Sequence, residues 1–173
     1  MEIWTSRILD LIVGESMKLL ADCSVSPDTG IGIGGYLLVG ETDILSASLA
    51  DCVKLKSFEG VSSTELELRT IIWALSDVQK GLDGLQVYTD SQNVLSLMER
   101  RERLEQRDFR NRSGARLKHA SLYHEFYALF DELGFEVSKV KGHSRMKDRS
   151  DLERAFSLVD RMTRRELRKR MAS

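Results

Sequence analysis

The spacing of apolar residues changes partway along this chain of 173 residues, and the change limits the folds open to it. Residues 18 to 24 (KLLADCS) and 31 to 39 (IGIGGYLLV) read as two strands, with the turn-rich SPDTG between them forming a hairpin connection. Residues 43 to 56 (DILSASLADCVKLK) have the alternating, β-branched character of a third strand. Beyond that point the period becomes helical. Serines and a threonine at 62 to 64 can cap a helix over about 64 to 80 that ends near Gly81. Strand and helix patterns then alternate: LQVYTD as a fourth strand, SQNVLSLMERRERLEQ as a helix, and a further helix over about 119 to 133. FEVSKVK (135 to 141) follows as a fifth strand, and a closing helix runs over about 154 to 170. Three leading strands followed by this alternation predict an α/β fold, a mixed sheet with helices on its faces.

An apolar content of 42% in a chain of this length supports one core and one domain. Cys23 and Cys52 form no CxxC pair and match no zinc-ligand spacing, so a reduced, cytoplasmic setting is expected. The apolar run ILDLIV near the start is broken by Asp10 and lacks a small-residue cleavage site, and no stretch approaches membrane-spanning length. Neither export nor a membrane partner is expected. The net charge of −1 hides an asymmetry: residues 1 to 86 hold 6 Lys/Arg against 13 Asp/Glu, residues 87 to 173 hold 20 against 14. A basic second half suits a polyanionic partner, or simply a solvated helical surface.

Four carboxylates stand out. At about 100° per residue the helix from 64 places Leu68, Ile71, Ile72, Leu75 and Val78 on one arc, and Glu67 falls inside it, where an acid is costly unless paired or bound to a cation. Glu65 lies at the edge of that arc beside Arg69, as a solvated pair would. Asp160 sits at the margin of the apolar arc of Ala155, Phe156, Val159 and Met162, whereas Asp148, Asp151 and Glu153 read as a charged loop. Asp22 and Asp90 end or interrupt the first and fourth strands, and each alone has a bland reading as a turn or N-cap residue. If those two strands are neighbours, all four acids can meet. Such a cluster raises its members' pKa values and calls for cations, and hard oxygen ligands suit Mg²⁺ or Mn²⁺. Two ions roughly 3.5 to 4 Å apart would serve an in-line displacement at a phosphodiester.

DCSVSPDTGIGIGGY around Asp22, STELELRTIIWAL around Glu67, VYTDSQNV around Asp90, VKGHS at His143 and SLVDRMTR around Asp160 together resemble type 1 ribonuclease H, over about residues 17 to 167. The resemblance implies a five-stranded mixed sheet of order 3-2-1-4-5, its first three strands antiparallel, flanked by helices. It also implies an enzyme, a monomer, that uses two Mg²⁺ ions to cleave the RNA strand of RNA/DNA hybrids, leaving 5′-phosphate and 3′-hydroxyl ends. Asp22, Glu67, Asp90 and Asp160 take the positions of its metal-binding carboxylates, and His143 that of its mobile-loop histidine. Asp151 and Glu153 remain alternatives for the fourth ligand; Asp160 is preferred because SLVDRMTR matches best and its helical position is independently odd.

Hybrid contacts are implied at Cys23 and Ser24, at Ser63 and Thr64, and at Gln92. Cys23 stands where the family usually has glycine, and Ser63 and Thr64 where it has asparagines. Residues 100 to 120, with eight Lys/Arg against three acids, match the position of a basic protrusion, which makes Arg107, Arg110, Arg112, Arg116 and Lys118 candidate phosphate contacts. Residues 1 to 14 precede the family core as an extension, leaving residues 15 to 173 as the single catalytic domain. Leu66 and Trp73 fall opposite the apolar arc of their helix, and the extension is expected to pack over them. Two other functions fit the same pattern: a catalytically silent nucleic-acid-binding module, and a related-fold DNA nuclease.

Overall fold

In the computed structural model the described residues are 16–40, 43–45, 48–78, 82, 84–140 and 150–172. Strands β1 (Lys18–Val25), β2 (Gly32–Val39), β3 (Lys54–Phe58), β4 (Gln86–Thr89) and β5 (Glu136–Lys139) form one sheet in the order β3-β2-β1-β4-β5. The first three are antiparallel neighbours, and β4 pairs parallel with both β1 and β5. Helices α1 (Leu49–Cys52), α2 (Ser63–Ser76), α3 (Gln92–Gln106), α4 (Ala120–Leu133) and α5 (Asp151–Met171) complete it.

The sheet separates two cores because alternate strand residues point to opposite faces. Leu19, Ala21 and Val87 bury against α2 and α4 through Leu68, Ile71, Leu75, Phe126 and Tyr127. Leu20, Leu37 and Val39 bury against Ala155, Phe156 and Val159 of α5. Two glycines of β2 let the helices approach. A Cβ on Gly34 would collide with Thr70 of α2, and one on Gly35 would lie 2.6 Å from Thr163 Cγ2 of α5.

Three expectations shift. The third strand is only five residues long: a 3₁₀ turn at Asp43–Leu45 and α1 occupy the stretch before it. Ile44, Leu49 and Val53 pack against the α5 core, so the apolar residues of this stretch serve burial under a helix instead of strand pairing. The last helix starts at Asp151, earlier than its apolar pattern shows, because Ser150 and Glu153 close a capping box with Glu153 Oε2 2.7 Å from the Ser150 N–H. Asp151 and Glu153 are therefore helical and not part of a loop. Finally, Leu66 is fully buried against the Gly32 backbone, and Trp73 packs edge-on against Tyr36 and Phe58, with Lys56 over its ring. The face expected to need a cover from residues 1 to 14 is covered by β2 and β3, and the packing of that extension lies outside the described residues.

Candidate active site

The parallel register of β1 and β4 fixes two of the acids. Leu20 pairs with Tyr88, so two residues further along come Asp22, still inside β1, and Asp90, one step past the end of β4. They stand at the carboxyl ends of neighbouring parallel strands, where the chain leaves β1 and β4 in opposite directions, the crevice position favoured for ligands in open α/β sheets. Asp22 is thus no turn residue; it sits mid-strand, paired with Gly35.

Strand alternation sends Asp22 and Cys23 to opposite faces. Gly35, opposite Asp22, abuts Thr163 and Val159 of α5; Gly34, opposite Cys23, abuts Thr70 of α2. On the α5 face Asp22 lies within interaction distance of the half-buried Asp160 side chain. Burial first, then the Asp90 charge, then Asp160 push the Asp22 carboxyl up to about 7, with the Cys23 N–H pulling the other way. Asp160 Oδ1 in turn lies 2.6 Å from Arg164 Nε, one turn along α5.

On the α2 face Glu67 is half-buried, and its Oε2 accepts a 2.6 Å hydrogen bond from Ser91 Oγ. Ser91 is also the N-cap of α3, its Oγ accepting from the Val94 N–H at 3.2 Å, so one hydroxyl both starts a helix and orients an acid. Asp90, which could have been that cap, is exposed and free of the duty. Asp22, Glu67 and Asp90 line a cleft together with Cys23, Thr70 and Ser91. Burial and then the charges of Asp22, Glu67 and Asp90 hold the Cys23 thiol protonated. Thr70 Oγ1 is buried in the cleft wall with no hydrogen-bond partner.

The oxygen-only donor set of the four acids fits Mg²⁺ or Mn²⁺, and the crowding that raises Asp22 is what a divalent cation would relieve. Among the described residues no three His, Cys, Asp or Glu side chains already stand close enough together to hold a metal ion.

The sequence profile described as RNase H matches residues 14–166, which includes all four acids. The chain belongs to the RNase H family. Among solved structures, the foamy viral protease-reverse transcriptase in complex with dsDNA superposes with a TM-score of 0.62 at 15% identity, over 86% of this chain and 94% of that one. That likeness establishes the RNase H-like fold. No curated protein matches the chain.

The structure brings Asp22 into interaction with both Asp90 and Asp160, and sets Glu67 on one cleft with Asp22 and Asp90; His143 lies outside the described residues. Asp151 pairs with Arg154 at 3.2 Å and Glu153 is held in the capping box. Of the expected hybrid contacts, Cys23 lines the cleft and Ser24 is half-buried beside it in β1. Ser63 and Thr64 are exposed in the first turn of α2, and Gln92 is the exposed first residue of α3.

The basic candidates form a separate group at the far end of α3, about 22 Å away at 1.5 Å per residue. There Arg110 pairs with Arg116 across a tight hairpin held by Asn111, whose Oδ1 accepts from the Ala115 N–H at 3.0 Å and from Ser113 Oγ at 2.7 Å. Arg107, Arg110 and Arg112 border an open hollow, and Arg116 and Lys118 are exposed nearby. Phe109, the sole aromatic of this stretch, is buried against His124 at 3.8 Å between ring centroids, so it anchors the hairpin and offers no platform for a base.

Ser91, Thr70 and Arg164 escaped the sequence reading. Each had a signal: Ser91 stands at the helix start right after Asp90, and Thr70 is three residues from Glu67 and Arg164 four from Asp160, both within side-chain reach on a helix.

Proposed function

We propose that this chain is an endonuclease that hydrolyses the RNA strand of RNA/DNA hybrids, using two Mg²⁺ ions, or Mn²⁺, to give 5′-phosphate and 3′-hydroxyl ends. The observation that carries this reading is the placement of Asp22 near the ends of β1 and β4, within electrostatic reach of both Asp90 and Asp160, with Glu67 oriented across the cleft by Ser91. The ions, when bound, would supply an activated water and charge stabilisation at the departing 3′ oxygen. The protein's part is to hold the acids ready. Ser91 fixes one Glu67 oxygen, Arg164 steadies Asp160, and Asp22 gives up its proton to act as a ligand. Gln92, Ser63 and Thr64 stand exposed at helix starts suited to sugar and phosphate contacts, the arginine hairpin grips phosphates further along, and His143 assists proton transfer or product departure.

One observation favours the silent binding module instead: Cys23 occupies cleft wall beside Glu67 and Asp22 where the family usually has glycine. Incubating labelled RNA/DNA hybrid, duplex DNA and duplex RNA with Mg²⁺, alongside Asp90→Asn, separates the readings. Cleavage confined to the RNA of the hybrid and abolished in Asp90→Asn is expected. Binding without cleavage selects the module, and cleavage of DNA selects a DNA nuclease on the same fold.

A further inference from the structure

The second half of α5 carries a charge surplus that the proposed site does not use. Residues 161 to 171 hold six Lys/Arg and a single acid, Glu166. Arg164 is engaged by Asp160, and Glu166 by Lys169 and Arg170 at 3.7 and 3.6 Å. Arg161, Arg165 and Arg168 fall within about 60° of one another at 100° per residue, all exposed, and make no ion pair among the described residues. Helices tolerate lone surface arginines, but three unpaired on one face repel one another at i, i+4 and i+3 spacing, a cost that a bound polyanion removes.

Their placement selects the polyanion. The stripe starts one residue after Asp160, about 100° round the helix from it, and α5 leads from there toward the β1–β2 turn, where Thr29 Oγ1 donates to Met171 Sδ at 3.6 Å. It lies along α5, on the sheet face opposite α2 and α4, whereas the arginine hairpin closes the far end of α3. We propose that Arg161, Arg165 and Arg168 form a second phosphate track, which holds the nucleic-acid backbone flanking the cleft on the side away from the hairpin. This rests on the nuclease reading for the identity of the chain bound. The closeness of the stripe to Asp160, which interacts with Asp22, is what favours nucleic acid over an acidic protein.

The test is fluorescence anisotropy in EDTA, where no cleavage is needed, with a hybrid of about 24 base pairs and a short one of about 8 that fills only the cleft. Arg161→Ala/Arg165→Ala/Arg168→Ala is expected to weaken the long hybrid roughly 10- to 100-fold at low salt. It should lower the slope of log affinity on log salt by about 2, with little change for the short hybrid. The corresponding triple Lys variant restores the slope, and melting temperatures close to wild type exclude unfolding. Unchanged affinity and slope, or equal losses on both lengths, overturn the track. So does wild-type binding of polyglutamate as tight as that of a hybrid of equal charge, which would point to an acidic protein. If wild type cleaves no hybrid in Mg²⁺ yet the triple variant shifts binding as expected, the nuclease reading fails and the track stands.

Discussion

The two faces of the sheet meet at the cleft in different electrostatic states. On the α5 face Asp22 lies close to Asp160 under the field of Asp90, and burial keeps the Asp22 proton in place toward neutrality. On the α2 face the acid, Glu67, has a neutral donor in Ser91, and its neighbours Cys23 and Thr70 carry no charge. One step along β1, from Asp22 to Cys23, crosses between them. The lesson is that a strand can serve a charge-crowded and a hydrogen-bonded half-site at once, since its side chains alternate while its backbone stays in one register.

The largest expected effect comes from breaking the crowded half. Asp90→Asn or Asp22→Asn should lower hybrid cleavage by about a thousandfold or more, the scale of losing charge stabilisation at the reacting phosphate, read by initial rates in Mg²⁺. Packing comes next. Gly34→Ala places a methyl against Thr70 and should destabilise the chain by about 1 to 3 kcal/mol, with a melting-temperature loss that Thr70→Ala partly restores.

The crowded half should also show itself in pH dependence. Asp22 ionises near 3.8 when unfolded but holds its proton to about 7 when folded. The native state therefore binds more protons between these values, and its stability declines as pH rises from about 4 to about 7, then levels off. Melting in EDTA at pH 5 and pH 8 should show a larger loss for wild type than for Asp22→Asn. Equal losses would mean that Asp22 is not the group responsible.

On the hydrogen-bonded half, Ser91→Ala removes a helix cap and frees Glu67. A stability loss of about 1 kcal/mol is expected together with a drop of roughly tenfold in kcat, whereas Ser91→Thr should retain most of both. The smallest effect is expected for Arg164→Ala, a surface pair whose loss should change stability by less than about 1 kcal/mol.

A mixed sheet with helices on its faces and the oddity of Glu67 and Asp160 were legible from periodicity, because a carboxylate on an apolar arc violates a rule that the rest of the helix obeys; the strand order came from the resemblance to type 1 ribonuclease H. The short third strand was not legible. Residues 43 to 56 read as strand-like, and only the presence of α5 above Ile44, Leu49 and Val53 shows that this stretch buries as a covering segment. The start of α5 was missed for the opposite reason: its first turn is charged, so the apolar pattern is silent where the capping box speaks. The expected cover over Leu66 and Trp73 rested on treating one helix face as the core, whereas a helix laid across β2 and β3 buries more than one stripe.

By itself the sequence determined which residues carry charge into apolar surroundings and in which order the strands and helices arise, since both follow from local spacing and the cost of burying a carboxylate. Only the tertiary structure decided that Asp22 meets both Asp90 and Asp160 and that Ser91, the cap of α3, also donates to Glu67 of α2. Those outcomes depend on the parallel register of β1 with β4 and on the two glycines that let α2 and α5 approach the sheet, long-range contacts that no local window contains.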